Sequence, residues 1–511
     1  MSKKSLIKST GVIGAATALS RALGFVRDII FANFFGTDIA AQAFVVAFRI
    51  PNTLRDLAGE GAMNAAIVPV LSEYRAVKDR EEFQSAAKVL FNISFASLLI
   101  LTLAGIIFSP LVVRIMAPGF AADPEKLALT VTLNRIIFPY LLLIGLTAYC
   151  MGVLNAMRHF AAPAFGPVLM NVAMIGSFLF CRQFGVMALT AGVLIGGALQ
   201  LAVNAPALYR NGIRFDLRAG FRHPAVKRIG KLLVPRAVGS GVYQINIFVD
   251  TILASLASIV GAGGVAALYY ANRLIQFPLG IFGIALAQAA LPRMSQEFAE
   301  NDVERFKDTL SFSLRTVFLV MLPAGFALAV LGRPIIRILF ERGEFTAYST
   351  DITNSALFFY AFGLMAYGGV KLLVTAFYSM HDTATPVKTA FAAVIINVIL
   401  SVVLMWPLKL GGLALATSVS ATFNFVMLYI KLRRKMGDFG TRVIADSFTR
   451  VFLASCVMGI ALKTLITVFP DIRIPGLLLC MASGAGVFIA ACYMLEVKEI
   501  KDSWTWISER R

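Results

Sequence analysis

Signatures of catalysis and of metal binding are what this 511-residue sequence lacks. It has no Gly-x-Ser-x-Gly elbow, no Walker loop, no HExxH pair and no aspartate-rich metal motif. The local arrangements that activate a nucleophile, cradle a nucleotide or hold a catalytic metal are therefore missing, and a membrane glycosyl- or acyltransferase is the weaker class. Histidine is scarce: His159, His223 and His381 are the only three, and their scatter leaves no metal-site signature. The five cysteines, Cys150, Cys181, Cys456, Cys480 and Cys492, sit within or at the ends of apolar blocks without CxxC spacing and read as small buried hydrophobes. Acidic residues are outnumbered, 28 against 47 Lys and Arg, for a net charge of +19. That excess would suit nucleic acid, but the basic residues fall in short loops between apolar blocks and read as topology signals, so no nucleic-acid partner is expected. No cleavable signal peptide is read either, because the first apolar block carries Arg21, Arg27 and Asp28 and continues as a membrane segment.

What is abundant is apolar surface. Hydrophobic residues make up 58% of the chain, above the roughly 45–50% of a soluble domain. They come in repeated blocks of about 20 or more residues, enough to cross a hydrocarbon core as helix. The short alternating segments of an outer-membrane barrel are absent. The fold class expected is an all-α polytopic membrane protein of about fourteen transmembrane helices. The first twelve are placed near 10–36, 40–72, 86–115, 127–156, 160–181, 186–208, 233–258, 263–292, 308–339, 350–379, 385–407 and 411–431, the last two near 445–469 and 475–496. Residues 1–208 form an N-terminal lobe of six spans, 209–231 a basic linker, 232–431 a C-terminal lobe, and 432–511 the last two spans and a tail. For the linker, Phe215 and Phe221 suit an amphipathic piece lying on anionic lipid, and a solvated linker is the alternative. Lys and Arg concentrate at the N-terminus, in alternate loops and in the tail, which places both termini in the cytoplasm.

The lobes repeat one another. Ala-Phe-Val-Val-Ala-Phe-Arg at 43–49 parallels Ala-Leu-Tyr-Tyr-Ala-Asn-Arg at 267–273, Phe-Val-Arg-Asp at 25–28 parallels residues 247–250, and Leu-Asn-Ala-Met-Arg-His at 154–159 parallels Tyr-Ser-Met-His-Asp at 378–382. The offset stays at roughly 222–226 residues, a repeat of six spans. An even number gives both lobes the same orientation and suggests a substrate path between them.

Intramembrane charge marks the candidate site. An ionised side chain at mid-bilayer costs a few kcal/mol, so it should face protein, water or substrate. In the first helix Ser20, Gly24 and Arg27 share one side by i, i+4, i+7 spacing, with Arg21 and Asp28 on the adjacent side. The second helix holds Arg49, Pro51, Asn52, Arg55, Asp56, Gly59, Glu60 and Gly61 and should be kinked or broken beside a cavity. With Arg273 in the second lobe, these guanidinium groups suit bidentate binding of phosphate or carboxylate. Asp28 and Glu60 balance them. Plainer readings stand beside this one: Arg49 and Arg273 snorkel or pair locally, Arg236 anchors at an interface, and Arg135, Arg315 and Lys371 serve helix packing.

Ser-Arg-x-Leu-Gly-Phe-x-Arg-Asp at 20–28, the pattern from Ala43 to Arg55, Gly-Glu-Gly-Ala at 59–62, Ala-Pro-Gly-Phe at 117–120 and Phe-Pro-x-Gly at 277–280 resemble the MurJ (MviN) family of bacterial lipid II flippases, within the multidrug, oligosaccharidyl-lipid and polysaccharide exporter superfamily. The resemblance runs over essentially the whole chain. It implies two six-helix lobes around a cationic cavity, with a final helix pair for the undecaprenyl tail. It carries the substrate-binding role to Arg21, Arg27, Arg55 and Arg273, with Ser20, Asp28, Asn52 and Glu60 as neighbours. Gln42 stands where some relatives have an acidic residue, and Asn272 and Gln276 where some have Asp and Glu, which questions a proton relay there. A sodium site of some members would map to Asp250, Asn397 and Thr417, with Ser401 in place of a carboxylate; a helix-packing hydrogen-bond cluster is the alternative. The resemblance implies translocation of lipid II across the bacterial plasma membrane by alternating access, by a monomer, with no cofactor beyond a sodium ion or the membrane potential as energy source. A related exporter of drugs or of another polyprenyl-linked oligosaccharide is the rival.

Overall fold

A computed structural model describes residues 3–55, 62–157, 159, 161–469 and 473–500, and among them the chain is helix joined by short turns, with no strand. Apolar segments of this length find no hydrogen-bond partners in lipid, so the backbone satisfies itself within each segment. By its contacts the chain divides into two compact units, Met1–Ser255 and Leu256–Arg511.

The first unit holds α1 (Lys3–Phe35), α2 (Ile39–Arg55), α3 (Ala62–Val77), α4 (Arg80–Ile107), α5 (Ser109–Met116), α6 (Pro124–Ile137), α7 (Pro139–Ala156), α8 (Ala161–Phe180), α9 (Val186–Arg210) and α10 (Pro224–Ala254). At its centre is α7, against α3, α4 and α9. Its Tyr149 is fully buried, and the hydroxyl donates to the Ala87 carbonyl at 2.8 Å. Within a bilayer, apolar burial between helices gains little over lipid contact, so close approach matters more. The α8–α9 pair shows this: a Cβ on Gly192 would lie 2.9 Å from the Met174 Cα.

In the second unit come α11 (Ala257–Val260), α12 (Gly264–Pro278), α13 (Ile284–Ala299), α14 (Val303–Phe340), α15 (Ala347–Ser379), α16 (Ala384–Leu408), α17 (Leu410–Met436), α18 (Thr441–Val468) and α19 (Ile474–Met494). Here α15 is central, packed on α14 and α17, with α18 and α19 joined to α14. Arg315 of α14 donates to Glu499 at 2.5 Å, and Ser447 of α18 donates to the same carboxylate oxygen, which gives Arg315 the packing role.

Several expected helices are broken where proline removes a backbone donor and clashes with the preceding turn. The 86–115 segment divides at Phe108, before Pro110, and the 127–156 segment at Phe138, before Pro139. The 263–292 segment passes through a π-turn at Leu279–Gly283, just after Pro278. The second expected helix is α2 and α3, on either side of residues 56–61. Glu60, Asp56 and Gly59 lie outside the described residues.

Eleven helices among the described residues are long and apolar enough to cross a membrane. The other three of the fourteen expected spans coincide with α1, which carries Arg21, Arg27 and Asp28, with the 17-residue α2 and its continuation in α3, and with α10, which includes the apolar stretch Gln244–Ala254.

One turn conformation recurs at the offset of the expected repeat. The turn before α9 has Gly185 at φ 54°, ψ −131°; that before α17 has Lys409 at φ 51°, ψ −128°. The second unit thus keeps at a lysine a backbone conformation that suits glycine.

Candidate functional site

On α1 the i, i+4, i+7 side faces one residue of α8. Asn171 donates through Nδ2 to the Ser20 carbonyl at 3.0 Å and to the Ser20 hydroxyl at 3.3 Å, and its Oδ1 accepts from Arg27 Nη1 at 3.1 Å. Between them, a Cβ on Gly24 would sit 3.6 Å from Asn171 Nδ2, an ordinary contact. The side chain that approaches α1 at Gly24 is thus Asn171.

Arg27 is also forked onto its neighbour. Nη2 donates to Asp28 Oδ1 at 2.7 Å and Nε to the same oxygen at 3.1 Å. Asp28 is 1% exposed and the Arg27 side chain 12%. A buried pair of this kind is held by its geometry and its additional hydrogen bonds, and removing one partner leaves an uncompensated charge. Arg21, one turn and a half earlier, is exposed. The two arginines that the sequence groups together thus differ: Arg27 is built into the α1–α8 contact, and Arg21 is presented outward.

On α2, Asn52 and Arg55 are half-buried. Arg49 donates to the Thr251 hydroxyl of α10, so it pairs locally, and Thr53 donates to Gln244 Oε1 at 3.5 Å. At the start of α2, Gln42 donates to the Thr37 carbonyl at 3.1 Å and accepts from Lys126 Nζ at 2.9 Å; the ammonium lies 4.0 Å from the Phe120 ring centroid. Both Gln42 and Lys126 are buried. The amide oxygen of Gln42 thus accepts from a buried lysine.

Arg273 belongs to the second unit, half-buried on α12, 5.5 Å from the centroid of the Tyr269 ring one turn earlier. Nearby, Gln276 donates to Asn272 at 3.5 Å. Of the residues mapped to a sodium site, Asp250 is buried on α10 in the first unit, while Asn397 of α16 and Thr417 of α17 meet in the second. Asn397 donates to the Thr417 hydroxyl at 3.1 Å and to Ser420 at 3.5 Å. Its Oδ1, and the hydroxyl of Ser401 one turn on, are fully buried without a hydrogen-bond partner. Two orphaned oxygens are donors of the kind a hard cation takes, so these residues fit sodium. No group of three or more His, Cys, Asp or Glu that could hold a metal occurs among the described residues.

The sequence reading missed Asn171 and Lys126. Each is a polar residue in or beside an apolar helix, a signal present in the sequence, but nothing local names its partner.

Comparisons with known proteins agree with this picture. The family described as "Lipid II flippase MurJ" matches residues 31–482. A probable lipid II flippase MurJ of Rhizobium tropici is 36% identical over 462 residues, covering 89% of this chain and 86% of its own. A lipid II flippase MurJ of Burkholderia cenocepacia is 34% identical over 437 residues, covering 84% of each. Among solved structures, a lipid II flippase MurJ in an inward closed conformation superposes with a TM-score of 0.81 at 27% identity, covering 94% of this chain and 98% of that one. An inward-facing multidrug resistance transporter of the MATE family, of the MOP superfamily, superposes with a TM-score of 0.72 at 16% identity over 82% of this chain and 96% of its own, a likeness of fold.

Proposed function

The chain belongs to the lipid II flippase MurJ family, and from that premise we propose that it translocates lipid II, the undecaprenyl-diphosphate-linked peptidoglycan precursor, from the inner to the outer leaflet of the bacterial plasma membrane by alternating access. The observation that carries the headgroup-binding part is the cationic character of α1 and α2: outward-facing Arg21 and half-buried Arg55 accompany the neutralised pair Arg27–Asp28. A diphosphate offers several acceptor oxygens to such guanidinium groups, and charge-assisted forks of this kind are the strong hydrogen bonds of a partly dry site. Arg273 of α12, and Ser20, Asn52 and Glu60, are proposed as further residues for the headgroup. In this reading Arg27 orients the surface through Asp28 and Asn171, while Arg21 and Arg55 meet the phosphates. The protein works as a monomer with both termini in the cytoplasm. It is not an enzyme: the headgroup crosses unchanged, and none of the residues proposed to hold it forms a nucleophile–base pair.

For energy we propose a sodium ion or the membrane potential. Sodium would be held by Asp250, Asn397 and Thr417, with Ser401, and its contribution is a charge whose binding favours one conformation over another.

The test is accessibility of lipid II from outside the cell. Depleting the protein should leave lipid II unreachable from the outer face while its synthesis continues, and Arg21→Ala and Arg55→Ala should fail to restore access. Unchanged accessibility on depletion would overturn the flippase reading. Headgroup binding equal to that of the parent in purified Arg21→Ala and Arg55→Ala would overturn the site.

A further inference from the structure

The basic segment between α9 and α10 is a folded surface. Gln84 donates to the Gly212 carbonyl at 3.0 Å and Asn92 to the Gly220 carbonyl at 3.0 Å, both from α4. Phe215 stacks on Phe91 at 4.4 Å between centroids, with Tyr209 edge-on at 5.7 Å. Of the two phenylalanines that suggested an amphipathic piece, Phe215 is thus spent inside the protein. Fastening these points to α4 leaves Leu217 65% exposed and Phe221 59% exposed. Around them Arg214, Arg218, Arg222 and Lys227 are all exposed. Phe221, Arg222, His223, Pro224, Val226 and Lys227 line an open cleft of about 480 Å³.

Three carboxylates beside the segment are engaged, Glu82 with Lys78 at 3.7 Å among them. Asp216, the one acidic residue of the segment, lies 3.6 Å from Lys88 and accepts from the backbone N–H of Arg218 at 3.0 Å. Glu73 of α3 is paired with Arg228 at 2.8 Å, and that contact holds its carboxyl below its ordinary range. The four exposed cations therefore face outward beside two exposed apolar side chains, directly after a helix long enough to span the membrane. Soluble surfaces seldom combine these features, whereas the membrane interface favours both: aromatic rings sit at headgroup level, and each basic side chain near an anionic leaflet raises the bound population roughly fivefold.

We propose that this surface, centred on Phe221, Arg218, Arg222 and Lys227, docks the anionic phospholipid headgroups of the leaflet at which α9 ends, with Leu217 and Phe221 seated at the headgroup–acyl boundary. The occupant is anionic lipid, because the cations supply the selectivity and the apolar pair supplies an insertion that a free anion would not use. The surface is separate from Arg21 and Arg55, so it stands or falls independently of the proposed substrate.

The test uses the full chain carrying Phe221→Trp, reconstituted in vesicles of phosphatidylcholine alone or mixed with phosphatidylglycerol, with shallow-brominated chains on one lipid at a time. The signal is read as the difference from the parent protein, which removes the contribution of its own tryptophans. Quenching by brominated phosphatidylglycerol should exceed that by brominated phosphatidylcholine and fall as added salt shortens the screening length. Arg218→Gln, Arg222→Gln and Lys227→Gln together should lower the docked-to-undocked ratio on the order of 100-fold, three such contributions multiplied. Arg218→Lys with Arg222→Lys should retain docking. Because the substituted side chains are exposed, each variant keeps the parent's folded yield. Equal quenching by the two lipids, no quenching by either, or a triple glutamine variant that docks like the parent would overturn the proposal. So would release of the segment by soluble glycerol phosphate, which would assign the cleft to a free anion.

Discussion

Asn171 makes three positions of α1 into one surface, holding Ser20, flanking Gly24 and orienting Arg27. Half of that surface was legible beforehand, since Ser20, Gly24 and Arg27 share a side by spacing alone. The other half was not: Asn171 lies 144 positions from Arg27, and an asparagine in an apolar helix does not declare its partner. The geometry also separates two roles for arginine. Removing Arg27 takes away a cation 2.7 Å from buried Asp28, so Arg27→Ala should lose stability, up to about 3–5 kcal/mol, the usual cost of breaking a buried pair. Arg27→Met with Asp28→Asn should recover most of it in thermal unfolding of the detergent-solubilised protein. A double variant as unstable as Arg27→Ala would show that Asp28 is not what Arg27 neutralises. Asn171→Leu should cost less, about 1.5–3 kcal/mol for a hydrogen bond to a charged group.

Elements were legible as apolar blocks and less so as ends and breaks. Block length is a local property, but whether a helix continues through Pro139 or Pro278 depends on what can satisfy the freed carbonyls. The turn before α17 records the repeat in its backbone, with Lys409 matching Gly185. At that conformation a Cβ is strained, by about 1–3 kcal/mol. Lys409→Gly should therefore raise the midpoint of thermal unfolding, and an unchanged or lower midpoint would count against strain there. The turn between α15 and α16 is held by Asp382, which accepts from Lys435 at 2.8 Å and from the Thr385 N–H and hydroxyl at 3.0 and 2.9 Å. Partial burial pushes its carboxyl up, but the hydrogen bonds from Lys435 and Thr385 outweigh that and hold it below the ordinary value. A depressed carboxylate stabilises the folded turn above its unfolded pKa, near 3.9, and the contribution is lost as pH falls through the lower folded value. Hydrogen-exchange protection at residues 383–389, corrected for intrinsic rates, should hold at neutral pH and drop in that acid window, and Asp382→Asn should remove the pH dependence.

At the scale of the whole molecule, basic loops alternate with loops poor in positive charge, and charge of this kind sets orientation. Cysteines introduced singly at residues 209–231 and 436–440 in a cysteine-free background should therefore label only from the cytoplasmic face. Labelling of either segment from outside intact cells would reverse the topology. The five native cysteines form no disulfide, so a cysteine-free background breaks no cross-link. The resemblance to lipid II flippases, read on Ser20–Asp28 and four other motifs, extends to the fold, because motifs of this kind sit where helices break or charges are tolerated.

By itself the sequence determined the helical membrane class, the charge bias and the family, because span length, composition and motif are all properties of neighbouring residues. Only the tertiary structure decided which charges are occupied. It buried Arg27 against Asp28 and left Arg21 outward, gave Lys126 an amide acceptor in Gln42, and joined Arg49 to Thr251. It also folded residues 212–220 onto α4, so that Phe215 points inward and Phe221 outward. Arg27 and Asp28 are adjacent in the chain, but the Arg27 partner across the helix contact, Asn171, and the partners in the other cases lie 84 to 202 positions away, and such meetings are set by how helices pack.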